Sequence, residues 1–383
     1  MQIDAPWLRA PETQQVLALL TDAGHGAFVV GGCVRDAILE RPVSDIDVAT
    51  DAPPVRVMAL AKAAGLKALP TGIDHGTITV VAGKQAFEVT TFRRDVATDG
   101  RRAVVAFASD IADDARRRDF TMNALYAQSN GEVVDPLCGL SDLRARRVRF
   151  IEDPARRISE DALRILRFFR FHAWYGDPAA GLDTDAIAAV VEGAAAVENL
   201  SLERIGAEVT RLLAAPNPAP AAAAMATTGV LPRVLPGADA RVLSPLCHIE
   251  NTVEAAPHWP RRLVAMGAAA QAARKLRLSR TDARKVAQIA AALALPGAEA
   301  AYRQGAAAAR DAALIQGASQ TPPCAPNAQT LADLDDAAVQ RFPFTAADLP
   351  PGLEGPSIGA ALRDAEARWI ASGFRATRAD LFE

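Results

Sequence analysis

The 383-residue chain sets 42 Lys and Arg against 45 Asp and Glu, a formal net charge of −3, which excludes a chain-wide basic field for nucleic acid and leaves only local basic patches. Cys33, Cys138, Cys247 and Cys324 lie far apart with no CxxC spacing, which argues against a disulfide scaffold or a zinc site and for a reducing, cytoplasmic setting. No run of ~18 apolar residues free of charges and breakers occurs, and no basic region precedes an apolar run at the N-terminus, so neither a membrane span nor a signal peptide is expected.

In chain order, residues 1–150 read as α/β. A helix over about 12–23 precedes an apolar strand at 28–30. DIDVAT, from Asp45, reads as a second strand. Residues 53–65 read as a helix opened by proline and closed by glycine. TITVVAG (77–83) and QAFEVTTF (85–92) read as a hairpin around Gly83-Lys84. The polar stretch 93–113 reads as a mobile loop, and EVVDPLCG (132–139) as a short strand and turn. From about 151 the chain turns helical and then alanine-rich, with helices expected at 184–198, 201–215, 217–229 and within 257–317. Residues 318–356 are proline-rich and read as a surface wrap before a last helix at 357–373. Three divisions are expected: 1–150, 151–215 and 216–383.

The densest chemical signal is FVVGGCVRDAILERPVSDIDV at residues 28–48. A strand ends in Gly31-Gly32, and glycines let backbone N–H groups approach a phosphate. Asp45 and Asp47, at i and i+2 on a strand, point the same way with Cα atoms roughly 7 Å apart. Paired carboxylates of this kind suit a hard divalent cation. Together these residues propose metal-dependent nucleotidyl transfer, although a lone DxD also occurs as a solvated turn. The alternation of Ile46 and Val48 with the acids favours a strand with one buried face.

Glu88, flanked by Phe87 and Val89, offers a third carboxylate if its strand lies beside DIDV; otherwise it is an ordinary solvent-facing strand residue. Arg116-Arg117-Arg118 lead into Asp119-Phe120-Thr121-Met122-Asn123, read as the entry to an apolar helix. Arginine forks suit phosphate, and a plain basic surface is the competing reading. In Ser159-Glu160-Asp161-Ala162-Leu163-Arg164, Ser159 reads as an N-cap and Glu160 as a dipole-complementing acid. Asp161 and Arg164 at i and i+3 share a helix face. An acceptor beside a donor matches the amino group and ring nitrogen of cytosine and adenine, and mismatches uracil and guanine.

These segments resemble the bacterial-type tRNA nucleotidyltransferases, the CCA-adding enzymes that share ancestry with bacterial poly(A) polymerases. FVVGGCVRD, DIDVAT, GIDHGTITV, FEVTTFRRD, DGRRAVVAF, DDARRRDFTMNAL, DPLCGLSDL and EDPARRISEDALRILRFFRF occur in the family's order from residue 28 to about 175. Beyond 180 the likeness fades to KLRLSR. The resemblance implies a polymerase-beta-like α/β nucleotidyltransferase head (1–150), an all-α neck (151–215) and a tRNA-binding helical body and tail (216–383). It implies Mg2+ held by Asp45 and Asp47, with Glu88 as a third catalytic acid. It assigns nucleotide binding to Gly31, Gly32, Arg35, Arg117, Arg118, Asp119 and Asn123, and base selection to Glu160, Asp161 and Arg164. The donors would be CTP and ATP, the acceptor tRNA, with no membrane partner. GIDHGTITV is the tRNA-type pattern. A poly(A) polymerase, a partial CC- or A-adding enzyme, and a non-catalytic RNA-binding relative stand as alternatives. Basic residues among the later helices, Arg261-Arg262 and Arg274 to Lys285, are either RNA-facing or a solvated face.

Overall fold

The computed structural model describes residues 1–98, 103–350 and 352–382, which divide into two compact units, Met1–Val197 and Glu198–Glu383. The first unit begins with helices α1 (Pro6–Arg9) and α2 (Pro11–Thr21), each opened by a proline whose missing N–H costs nothing at that position. Strand β1 (Ala27–Val30) leads through Gly31 into α3 (Gly32–Ile38). Then come β2 (Asp47–Thr50), α4 (Pro54–Ala63), β3 (Lys67–Gly72), β4 (Thr77–Ala82) and β5 (Gln85–Thr91). Strands β6 (Arg93–Thr98) and β7 (Ala103–Phe107) pair as an antiparallel ribbon. After α5 (Ile111–Arg116) and a 3-10 turn (Thr121–Asn123), β8 (Tyr126–Ala127) and β9 (Val133–Val134) complete the main sheet. Helices α6 (Gly139–Arg144), α7 (Pro154–Glu160), α8 (Leu163–Tyr175) and α9 (Thr184–Gly193) follow.

The sheet order is β3-β4-β5-β2-β1-β8-β9. Strand β2 is antiparallel to β1 and parallel to β5, with Val30 opposite Asp47 and Asp47 opposite Glu88; Val30 also faces Tyr126 of β8. Directly opposed residues share a face, so Glu88, Asp47, Val30 and Tyr126 form one row across the sheet. The reverse face takes the alternate residues. Val29, Val48, Ile78, Val80, Phe87 and Val89 are buried, as are Val16, Leu17 and Leu20 of α2 and Val57 and Ala61 of α4. On the acid-bearing face, Val30, Ala49, Phe92, Ala115, Ala124, Tyr126 and Ile151 make a separate core. The strand alternation that marked Glu88 is therefore the alternation of a two-faced sheet.

The structure corrects several expectations. Much of the stretch expected as a mobile loop, 93–113, is strand: β6 and β7 pair from Arg93–Phe107 to Thr98–Ala103. Residues 99–102, the first four of DGRRAVVAF, lie outside the described residues. Residues 120–125 do not continue a helix, because α5 stops at Arg116 and the chain passes through a 3-10 turn into β8. The helix expected through EDALR is broken. Asp153 caps α7, accepting from Arg156 N, with Pro154 at the first position, and α7 ends at Glu160. Asp161 is extended, with φ −154° and ψ 106°. Ser159 is thus in the last turn of α7, not an N-cap, and donates to Arg156 O.

The second unit is built from helices, including Leu202–Leu213, Leu243–Thr252, Trp259–Ala265, Arg280–Leu293, Ala306–Ala318 and Pro356–Ala371. The proline-rich stretch contains a further helix, Ala328–Ala338, capped by Asn327 accepting from Thr330 N. A Cβ on Gly206 would lie 1.9 Å from Leu276 O, so only glycine allows that approach. Arg261 and Arg262 are buried, not solvated. Among the described residues no helix is long and apolar enough to cross a membrane.

Candidate active site

The sheet row ends in acid. Asp47 begins β2 and Glu88 stands beside it in parallel register. Asp45 lies two residues before Asp47, the first residue of β2, exposed, with Ser44 Oγ donating to its Oδ2 at 3.0 Å. The Asp47 carboxyl is held above the usual range, first by burial and then by repulsion from Glu88 and Asp45, against a downward pull from Arg118. Accumulated negative charge on oxygen donors fits a hard divalent cation, which would offset that repulsion. Among the described residues no group of three or more His, Cys, Asp or Glu could alone enclose a metal. A cation here would take the rest of its shell from water and phosphate, as Mg2+ commonly does. Behind Asp47, burial and the same carboxylate push the Cys33 thiol up to about 12, so it stays protonated.

Gly31 serves two purposes. Its φ of +75° favours glycine, and a Cβ there would lie 3.2 Å from Arg118 Nη1. Arg118 therefore lies over the Gly-Gly turn and within electrostatic reach of Asp47. Arg117 and Arg118 are both held by Asp114, a side chain only 1% exposed. Arg117 Nε donates to Asp114 Oδ1 at 2.8 Å, and Arg118 Nη2 and Tyr126 Oη donate to Oδ2 at 3.1 and 2.7 Å. The Nη1 groups of both arginines have no hydrogen-bond partner among the described residues.

Arg35 is tied into a network of side chains beside the Gly-Gly turn. It is 7% exposed and donates to Asp36 (3.0 and 2.9 Å), Asn123 Oδ1 (2.6 Å) and Tyr175 Oη (2.7 Å). Its guanidinium also stacks 4.1 Å from the Tyr175 ring centre. One N–H remains for anything else. Asn123 in turn donates to Asp119 Oδ1 at 2.9 Å, and Arg167 Nε donates to Asp119 Oδ2 at 2.7 Å. Burial pushes the Asp119 carboxyl up, but Arg167 and these hydrogen bonds outweigh it and bring it down to about 2. Arg35, Asn123, Asp119 and Arg167 thus form one line of bonds joining α3, the 3-10 turn and α8.

The neck residues meet the arginine run through its backbone. Arg157 donates to Arg117 O, and to Arg118 O at 2.5 Å; Arg164 Nη2 donates to Arg117 O at 3.3 Å. Basic side chains here satisfy carbonyls left open at the end of α5. Glu160 accepts from Arg157, from Arg164 Nη1 at 2.6 Å and from Arg156 Nε at 3.2 Å, so it is the anchor of Arg164. Arg164 keeps Nε without a partner among the described residues. Asp161 Oδ1 accepts from Leu163 N at 3.0 Å. Asp161 and Arg164 are close in sequence across a helix break, with Arg164 N bonded to Asp161 O, and do not share one helix face.

Sequence reasoning missed Asp114, Tyr126, Arg167 and Tyr175. Asp114 did carry a signal, since Arg117 and Arg118 follow it at i+3 and i+4. The others act from distant strands and helices.

A strand–Gly-Gly–helix turn, acids in register on neighbouring strands, and Arg118 over Gly31 make up a polymerase-beta-like head. The profile of the Poly A polymerase head domain matches residues 27–149, and that of the probable RNA and SrmB-binding site of polymerase A matches residues 181–241. The CCA-adding enzyme of Streptococcus gordonii is 41% identical over 54% of this chain and 50% of its own length. The chain thus aligns with about half of that relative. The crystal structure of Bacillus stearothermophilus CCA-adding enzyme in complex with CTP superposes with a TM-score of 0.74, at 29% identity, over 97% of this chain and 94% of that one. The Thermotoga maritima CCA-adding enzyme complexed with tRNA shares the fold at 17% identity, with a TM-score of 0.67, over 100% of this chain and 98% of its own. Residues 27–149 are thus similar to the Poly A polymerase head domain, and the chain spans about half the length of the curated CCA-adding enzymes it matches.

Proposed function

We propose that this chain is a CCA-adding tRNA nucleotidyltransferase, transferring CMP and AMP from CTP and ATP to the 3′ end of tRNA without a template and releasing pyrophosphate. The observation that carries the reading is Asp47 in register with Glu88, faced by Arg118 lying over Gly31. The CTP bound by the B. stearothermophilus enzyme and its near-complete overlap with this chain support the donor and the reaction.

In this reading Asp45 and Asp47 hold Mg2+, and Glu88 adds its charge beside them. The cation, when bound, lowers the pKa of the attacking hydroxyl and offsets charge on the phosphates. Gly31 and Gly32 let the backbone approach the triphosphate. The unengaged Nη1 groups of Arg117 and Arg118 donate to its oxygens. Arg35, Asn123 and Asp119 hold the pocket's wall in place rather than grip the nucleotide. Glu160 fixes Arg164, and Arg164 with Asp161 presents a donor and an acceptor to the base edge, admitting cytosine and adenine. Aligning the 3′-hydroxyl with the α-phosphate contributes much of the rate. The second unit carries the tRNA body, and the chain works in the cytoplasm, where thiols such as its four free cysteines stay reduced.

The test is incorporation of labelled CTP and ATP, offered separately and together with Mg2+, into tRNA lacking its terminal CCA. Two C residues and one A are expected, and Asp45→Ala abolishes all three. Repeated A addition to any RNA identifies a poly(A) polymerase; C alone or A alone identifies a partial enzyme. RNA binding with no incorporation identifies a non-catalytic relative, and incorporation that survives Asp45→Ala refutes the site.

A further inference from the structure

We infer that Asp114 is a positioning residue which, tied to the sheet by the Tyr126 hydroxyl, sets the aim of Arg117 and Arg118 on the triphosphate. The inference rests on the triphosphate reading of the site and adds what fixes its two arginines.

Asp114 belongs to the short helix α5, just before Arg117 and Arg118, whereas the helix's own Arg116 pairs with Asp113. Both carboxylate oxygens are engaged. Oδ1 accepts from Arg117 Nε and lies 2.7 Å from its Nη2. Oδ2 accepts from Arg118 Nε at 3.3 Å, Arg118 Nη2 at 3.1 Å and Tyr126 Oη at 2.7 Å. Tyr126 Oη also accepts from Arg118 Nε at 3.1 Å, and Arg118 lies 5.3 Å from the Tyr126 ring centre. Tyr126 is fully buried and occupies the same sheet row as Val30 and Asp47. The path from Asp47 through Val30 and Tyr126 to Asp114 is therefore rigid sheet plus one short hydrogen bond. It ends on the guanidinium groups, whose Nη1 atoms are left for a ligand. Flexible arginines hold a planar fork best when one edge is already fixed.

Charge alone and positioning make opposite predictions. One carboxylate facing two guanidiniums leaves a net charge of +1. Removing the carboxylate raises that charge, so a site governed by charge would bind triphosphate more tightly. A site governed by aim would bind it more weakly, because the freed side chains must be ordered on binding.

The experiment measures steady-state kinetics of CTP incorporation into tRNA lacking CCA for wild type, Asp114→Asn and Tyr126→Phe, with thermal unfolding recorded for each. For Asp114→Asn the KM for CTP is expected to rise about tenfold with the KM for tRNA unchanged. Simple loss of folded protein would lower kcat and leave both KM values alone. Tyr126→Phe keeps every charge and the ring, and its KM for CTP is expected to rise about threefold. A CTP KM that stays level or falls in Asp114→Asn overturns the inference. If that variant does not fold, a level KM in Tyr126→Phe overturns it. Failure of the wild type to incorporate CTP overturns the functional reading and this inference with it, whereas an active wild type with unmoved variants overturns the inference alone.

Discussion

The two units each place one buried carboxylate against two consecutive arginines, and put the motif to different use. In the second unit Glu250 faces Arg261 and Arg262. Arg262, 1% exposed, has all five donors engaged: with Glu250 and with the carbonyls of Leu213, Ala215 and Pro216. Arg261, likewise buried, is held by Glu250, Asp311 and Ala256 O. In the first unit Asp114 takes only one edge of Arg117 and of Arg118, whose side chains are 15% and 18% exposed. A saturated pair is a structural knot. A half-saturated pair beside acids on the inner strands of the sheet is equipped for an anion. An Arg-Arg dipeptide in the sequence does not distinguish them, because the difference lies in which carbonyls come near.

The comparison can be broken at several points. Asp47→Asn removes charge from the acid row and should lower nucleotidyl transfer about a thousandfold or more while leaving the fold's melting temperature level or higher, since its repulsion with Glu88 and Asp45 is relieved. Arg262→Ala should do the reverse. It leaves buried Glu250 with Arg261 as its remaining cationic partner and strips the carbonyls of Leu213, Ala215 and Pro216 of their donor, so equilibrium denaturation should show about 3–5 kcal/mol lost, with the KM for CTP unchanged. A shifted CTP KM in Arg262→Ala would erase the distinction between the pairs.

Asp119 gives a pH test. Its folded value of about 2 lies below an unfolded value near 3.9. The stability it contributes is thus fully present above about pH 4 and is lost as pH falls towards 2. The contribution is about 2–3 kcal/mol. Asp119→Asn should flatten that part of the acid-unfolding curve, and an unchanged curve would remove Asp119 from the network's stabilising members. The smallest effect belongs to Arg310→Ala. The Arg310–Asp335 pair is 43% and 48% exposed, so its loss should cost less than about 1 kcal/mol by thermal or urea unfolding.

Much of the acid side of the site was legible in the sequence. Alternation around Asp47 and around Glu88 marked two half-buried strands, and Gly83-Lys84 marked the hairpin that brings β5 back. What escaped reading was set by distant or weak signals. Strand β3 lies at a sheet edge, carries Pro70 and is mostly exposed, so it shows no buried face. The break at Asp161 has neither proline nor glycine to announce it; the Asp161 side chain opens α8 by accepting from Leu163 N. Glu160 reads as an acid in a first turn and stands instead in a last turn among three arginines. The depth of Asp114 depends on Tyr126, which reaches it from the sheet, and no local pattern records that.

The most direct test offers purified protein, Mg2+ and all four nucleoside triphosphates to a tRNA that stops before its CCA, and sequences the 3′ ends produced. A uniform -CCA end with no further growth, and no U or G at any added position, is the predicted result. A run of A, admission of U or G, or ends left unextended would contradict the account.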